Sequence, residues 1–285
     1  MKLGISTYSL HQAYSAGKLT IEGVIETIAE IGAEHVEIVP LGYNLVEQPE
    51  LIERIVSTAH RCGLELSSYA IPANFSDLSD EAFQLELDRV KKEIDVCAKL
   101  GIKRMRHDIA RSTDISIQHF LQELPTFIDA CTQLSQYAEQ YGIVTSIENH
   151  GFYVQYSDRV QAIVHGVNRP NFKTTVDIGN FLCADETPEI AVAKNIPLAS
   201  MVHVKDFYIR PASLELQNGW FKSSGGTLLR GAIFGQGDID VVTTLKVIKN
   251  SGYDDYISLE FEGMEECING TRYGFEYLKQ IWQSL

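Results

Sequence analysis

The chain has 285 residues, 45% hydrophobic and 22% charged, the balance of a globular protein with a sizeable core. No window approaches 18 consecutive apolar residues, which excludes a transmembrane helix, and the polar N-terminus MKLGISTYSL reads as a first strand rather than a signal peptide, so a cytoplasmic protein is expected. Twenty-four Lys and Arg against 38 Asp and Glu leave a formal charge of −14, which repels phosphate backbones and anionic lipid and argues against nucleic-acid or membrane partners.

In chain order, apolar and β-branched runs predict eight strands, near residues 2–7, 35–40, 65–71, 104–109, 144–149, 172–178, 201–206 and 256–262. Helical periodicity fills the intervals. It is clearest over 116–142, where Phe120, Leu124, Phe127, Cys131, Leu134 and Ala138 repeat at spacings of four and three. Thr187-Pro188 reads as an N-cap followed by proline at the first helical position. One phrase recurs, a helix, then glycine, then an apolar strand, with Gly32, Gly63, Gly101, Gly142 and Gly252 placed where a helix C-cap needs positive φ.

Alternating βα units over this length favour a single (β/α)8 barrel spanning 1–285. An open doubly wound sheet would want a phosphate-binding fingerprint after the first strand, and none is there. GQGDID at 235–240 has glycines but follows a loop. The longest irregular stretch, 207–237, holds Trp220 and Arg230 and is expected to cover an active site. Five widely spaced cysteines (Cys62, Cys97, Cys131, Cys183, Cys267) with no CxxC are read as reduced.

Several predicted strands end in ionisable residues. Side chains alternate between the barrel interior and the helix layer. In VTSIENHG, Ile147 faces out and Glu148 in. In TTVDIGN, Thr174, Val176 and Ile178 share the outer face and leave Asp177 inside. In MVHVKDF, His203 and Lys205 point inward between Val202 and Val204. In YISLEFEG, Glu260 and Glu262 alternate with Ile257, Leu259 and Phe261.

Glu148, Asp177, His203 and Glu260 therefore converge at the carboxyl ends of four strands, where barrel enzymes carry their active sites. Carboxylates gathered in a low-dielectric cavity repel one another unless a cation sits among them. Three oxygens and an imidazole suit one divalent ion, Mn²⁺ or Co²⁺ first, Mg²⁺ or Zn²⁺ next. Glu37, between Val36 and Ile38, is also expected inside, behind the metal or against substrate. At RMRHDIA, Arg106, His107 and Asp108 compete for the inward face, and His107 is taken as a substrate contact. Lys205, His150 and Arg230 are further candidates for gripping hydroxyls or a phosphate.

The ordered set SIENHG, TVDIGN, HVKD, GQGDID and ISLEFEG resembles the xylose isomerase-like barrel superfamily, whose members include ketose 3-epimerases, inosose dehydratases and endonuclease IV. The resemblance spans nearly the whole chain. It implies that Glu148, Asp177, His203 and Glu260 are metal ligands and that Glu148 and Glu260 move protons, making the protein a sugar or sugar phosphate isomerase or epimerase. A lyase that eliminates water from a cyclic polyol ketone would use the same glutamates, and a barrel that binds sugar without turnover is the alternative outside enzymes. Relatives form dimers or tetramers, which implies a homodimer or homotetramer. Asn180 stands where ketose 3-epimerases and endonuclease IV often carry histidine. Only eight histidines and the negative charge argue against a trinuclear nuclease site.

Overall fold

The computed structural model describes all 285 residues. β1 (Lys2–Ser6) leads through α1 (His11–Ser15) and α2 (Ile21–Ile31) to β2 (His35–Ile38) and α3 (Glu50–Arg61). β3 (Glu65–Ile71), α4 (Asp80–Lys99), β4 (Arg104–His107), α5 (Ile117–Glu139), β5 (Val144–Glu148) and α6 (Ser157–Val167) follow in strict alternation. The second half runs β6 (Phe172–Asp177), α7 (Pro188–Asn195), β7 (Ala199–Val204), β8 (Asp206–Arg210), β9 (Phe221–Lys222), β10 (Leu228–Ala232), α8 (Val241–Asn250), β11 (Tyr256–Leu259) and α9 (Cys267–Ser284).

Eight strands close a barrel in the order β1-β11-β7-β6-β5-β4-β3-β2, with β1 pairing in parallel to both β11 and β2. This is a single (β/α)8 barrel. Short side chains start the helices: Thr20, Ser79 and Ser116 accept N–H bonds from Gly23, Ala82 and His119, each three residues on. Gly32, at φ +94°, ends α2 in the left-handed conformation that lets the chain turn back into β2. All five cysteines are free. No helix is long and apolar enough to cross a membrane.

The stretch 207–237 is more regular than its composition suggests. β8, β9 and β10 form a small antiparallel sheet in the order β8-β10-β9. Glycine and serine conceal it in the sequence, because its central pair, β8 and β10, is separated by 17 residues and lacks the hairpin spacing that marks such pairs. Asp206 anchors this cover. Its carboxylate accepts N–H bonds from Phe207 (2.8 Å), Gly235 (2.9 Å), Gly237 (2.9 Å) and Ile239 (3.3 Å). GQGDID is thus a loop wrapped around a buried aspartate.

Candidate metal and active site

Glu148 ends β5, Asp177 ends β6, His203 lies on β7 and Glu260 follows β11, so the barrel register delivers all four to its carboxyl end. One ligand atom from each lies within 4.8 Å of all the others. Nδ1 of His203 is 3.5 Å from Oε1 of Glu148 and 3.5 Å from Oε1 of Glu260. Behind the ring, Nε2 donates to Oε1 of Glu37 at 3.0 Å.

Neighbouring residues fix the carboxylates. Oδ1 of Asp177 accepts the N–H groups of Gly179 and Asn180, both at 2.8 Å, which leaves Oδ2 free for other partners. Asn149 ties β5 to β6, accepting from the Asp177 N–H and donating to the Asp177 carbonyl, each at 2.9 Å. Asn180 donates to Oε1 of Glu148 at 2.9 Å. Nε of Arg106 meets Oε2 of Glu148 at 2.6 Å, and its Nη2 meets Oδ1 of Asp108 at 2.8 Å. Lys205 spans Asp177 Oδ2 (3.0 Å) and Glu260 Oε2 (3.2 Å).

The electrostatics follow from crowding. Burial pushes the Asp177 carboxyl up to about 7, against the pull of Lys205 and with the added repulsion of Glu148 and Glu260. Burial also acts to raise Glu148, yet the Arg106 guanidinium and then His203 outweigh it and hold Glu148 well below the ordinary range. For His203, burial is overcome by Glu37, Glu260 and Glu148, so the imidazole is pushed well above its usual value. Glu37, Asp108, Glu148, Asp177 and Glu260 are all buried, against two buried permanent cations, Arg106 and Lys205. A buried excess of acid of this kind calls for a further positive charge. Nδ1 of His203 is buried without a hydrogen-bond partner and faces that acid. The donor set, three carboxylates and an orphaned imidazole nitrogen, fits a divalent ion.

Lys205, His150 and Asn180 line a cavity of about 440 Å³ beside these four residues, and Glu37 is inward, in contact with His203. Two expectations are corrected. His107 faces the helix layer: its ring is wholly buried, its Nδ1 bonds the Asp108 carbonyl at 2.8 Å, and it feels the charges of Arg89 on α4. Met105, His107 and Ile109 share one parity, which puts Arg106 and Asp108 in the cavity instead. Arg230 belongs to the cover, with its guanidinium 4.8 Å from the Tyr208 ring centre and 5.1 Å from that of Trp220. Tyr8 and Glu262 also line the cavity, joined by a 3.1 Å hydrogen bond. Parity in MRHDI could have found Arg106 and Asp108. Nothing local marks Tyr8, which reaches the cavity because the chain turns there just after β1.

A family model described as xylose isomerase-like TIM barrel matches residues 25–281. No curated protein sequence matches the chain. Solved structures share the fold at low identity. The IolI protein with a bound zinc atom superposes with TM-score 0.79 at 17% identity, covering 100% of this chain and 99% of that one. The probable 3-DHS dehydratase AsbF of Bacillus anthracis gives 0.76 at 15%, over 98% and 99%. A D-allulose 3-epimerase from Methylomonas sp. gives 0.75 at 16%, over 99% and 98%.

Proposed function

The chain belongs to the xylose isomerase-like TIM-barrel family, and on that premise we propose that it is a metal-dependent isomerase or epimerase of a sugar or sugar phosphate. The observation that carries this reading is the placement of Glu148 and Glu260 on either side of the orphaned His203 Nδ1, each 3.5 Å from it. Glu148, Asp177, His203 and Glu260 would hold one divalent ion, Mn²⁺ or Co²⁺ first, Mg²⁺ or Zn²⁺ next. When bound, the ion supplies a Lewis acid that acidifies the carbon beside a substrate carbonyl.

The protein's own groups do the rest. Glu148 and Glu260 come from strands separated by β6 and β7, so they approach a substrate from different sides. One carboxylate takes the proton and the other returns it, inverting the centre or moving the carbonyl. Arg106 and Asn180 fix the Glu148 carboxylate, and Lys205 and Asn180 orient hydroxyls or a phosphate. His150, held through Nδ1 by Asp108 at 2.9 Å, turns its other nitrogen to the cavity. That nitrogen favours one second reading, a lyase of the dehydratase type, because it can donate to a departing hydroxyl.

Elemental analysis of the purified protein and of Glu260→Gln tests the proposal. About one divalent ion per chain, lost in the variant, together with solvent-deuterium uptake into ketoses, is expected. Absence of metal after Mn²⁺ is offered sinks it, and release of water from a polyol ketone turns it into the lyase.

A further inference from the structure

We propose that the active site has a second, aromatic compartment that receives a ring attached to the reacting sugar, so that the substrate is a ring-bearing sugar rather than a bare monosaccharide. The proposal deepens the sugar reading above and rests on it. A cavity of about 300 Å³ adjoins the metal-side cavity and shares Tyr8, His150, Asn180 and Glu262 with it. The Tyr8 hydroxyl donates to the Glu262 carboxylate at 3.1 Å, and both residues line both cavities.

Away from the four shared residues the lining side chains are mostly apolar. The walls are Phe152, Phe207, Phe221 and Cys183, with Phe207 and Phe221 set edge to face at 5.7 Å. The one amide side chain confined to this compartment is already used: Gln155 donates to the Asn180 carbonyl at 2.8 Å and accepts the Phe152 N–H. Phe152 and Phe221 are half-buried and keep ring surface free there, while Phe207 is fully buried behind Phe221. Such a lining selects a six-membered ring that presents an apolar face.

The compartment is built by the cover sheet. Gly231 of β10 sits so close to the chain after β11 that a Cβ there would lie 2.4 Å from the Glu262 carbonyl oxygen. Gly219, at φ +87°, leaves its space to the Met264 thioether, which would be 2.4 Å from a Cβ. A larger residue at Gly231 would push the cover sheet off the backbone after β11. Phe152 is held at φ +66°, a conformation rare for an aromatic residue and found mostly where surroundings impose it for use.

Calorimetry on the metal-loaded full chain tests the compartment, with phenyl β-D-glucopyranoside and cellobiose compared with D-glucose. At least one ring-bearing compound is expected to bind about tenfold tighter than glucose, the gain of one well-packed aromatic contact. Phenyl glucoside alone would identify an aromatic substituent, cellobiose alone a second sugar. In Phe221→Ala, which removes a wall, and in Cys183→Met, which fills the chamber, that ratio is expected to fall toward one. Equal affinities in the wild-type protein, no binding of either ring compound, or a ratio that survives both folded variants would overturn the proposal. Solvent-deuterium uptake into D-fructose and isomaltulose reads the sugar reaction separately. Its absence from both would remove the proposed reaction and leave the binding ratio standing.

Discussion

Glu37 closes on His203 from behind: its Oε1 accepts the Nε2–H at 3.0 Å, and the two side chains are 0% and 1% exposed. The contact selects the ring orientation in which Nδ1 faces Glu148 and Glu260, and a carboxylate there makes the imidazole a stronger ligand. Glu37→Gln retains an acceptor of the same shape but loses the charge. Metal affinity, read by competition with a chelator, is expected to fall roughly 10- to 100-fold with the fold intact. An unchanged affinity would mean that His203 does not bind metal.

Arg106 is the buried cation that balances Glu148 and Asp108 at 2.6 and 2.8 Å. Replacing it by methionine keeps much of the volume and removes the permanent cation that these two buried carboxylates share. Removing one partner of a buried pair costs about 3–5 kcal/mol. For a chain of this size that corresponds to a fall of roughly 5–8 °C in Tm. Added divalent ion should recover part of the loss, since it binds the folded state beside the same carboxylate. A variant that melts with the parent would show that Arg106 carries no such balance.

Strand parity made the barrel and the four converging residues legible, because a two-residue alternation survives in any strand whose outer face is apolar. Val202 and Val204 assign His203 without ambiguity, and Ile257, Leu259 and Phe261 do the same for Glu260. Parity is ambiguous where that contrast is weak. In RMRHDIA every outward residue has a polar neighbour, and the histidine drew attention to itself although Met105 and Ile109 share its face. The cover sheet was hidden for a different reason. Its strands depend on Asp206 gathering three distant N–H groups besides its neighbour's, a long-range arrangement with no local periodicity.

That anchor yields its own test at Gly237. A Cβ at this position would fall 2.2 Å from Oδ1 of Asp206 and 2.7 Å from the Phe207 carbonyl oxygen, so neither the carboxylate nor β8 can give way cheaply. Gly237→Ala is expected to cost about 2 kcal/mol or more, read as a lower urea midpoint. Asp206→Asn, which keeps two of the acceptor contacts at best, should loosen the same cover and raise hydrogen exchange at Gly235 and Ile239. Normal stability in Gly237→Ala would mean that the GQGDID loop is not held by Asp206.

Two buried histidines give the protein a defined acid sensitivity. Burial holds both His35 and His107 down to about 4, with His35 bonded through Nε2 to the Ile257 carbonyl at 3.1 Å and His107 through Nδ1 to the Asp108 carbonyl. Each is neutral in the folded chain at a pH where the unfolded chain, titrating near the ordinary 6.5, is already protonated. Between those values the unfolded state binds more protons, so stability rises with pH; the contribution is complete above about 6.5 and is lost as pH falls toward 4. From pH 7 to pH 5 each histidine is expected to withdraw about 2 kcal/mol. Urea unfolding at the two pH values, compared between the parent and His35→Gln, isolates one of them. The pH 7-to-5 difference should shrink by about 2 kcal/mol in the variant. A difference that stays the same would mean that the folded protein takes up the His35 proton as readily as the unfolded chain does.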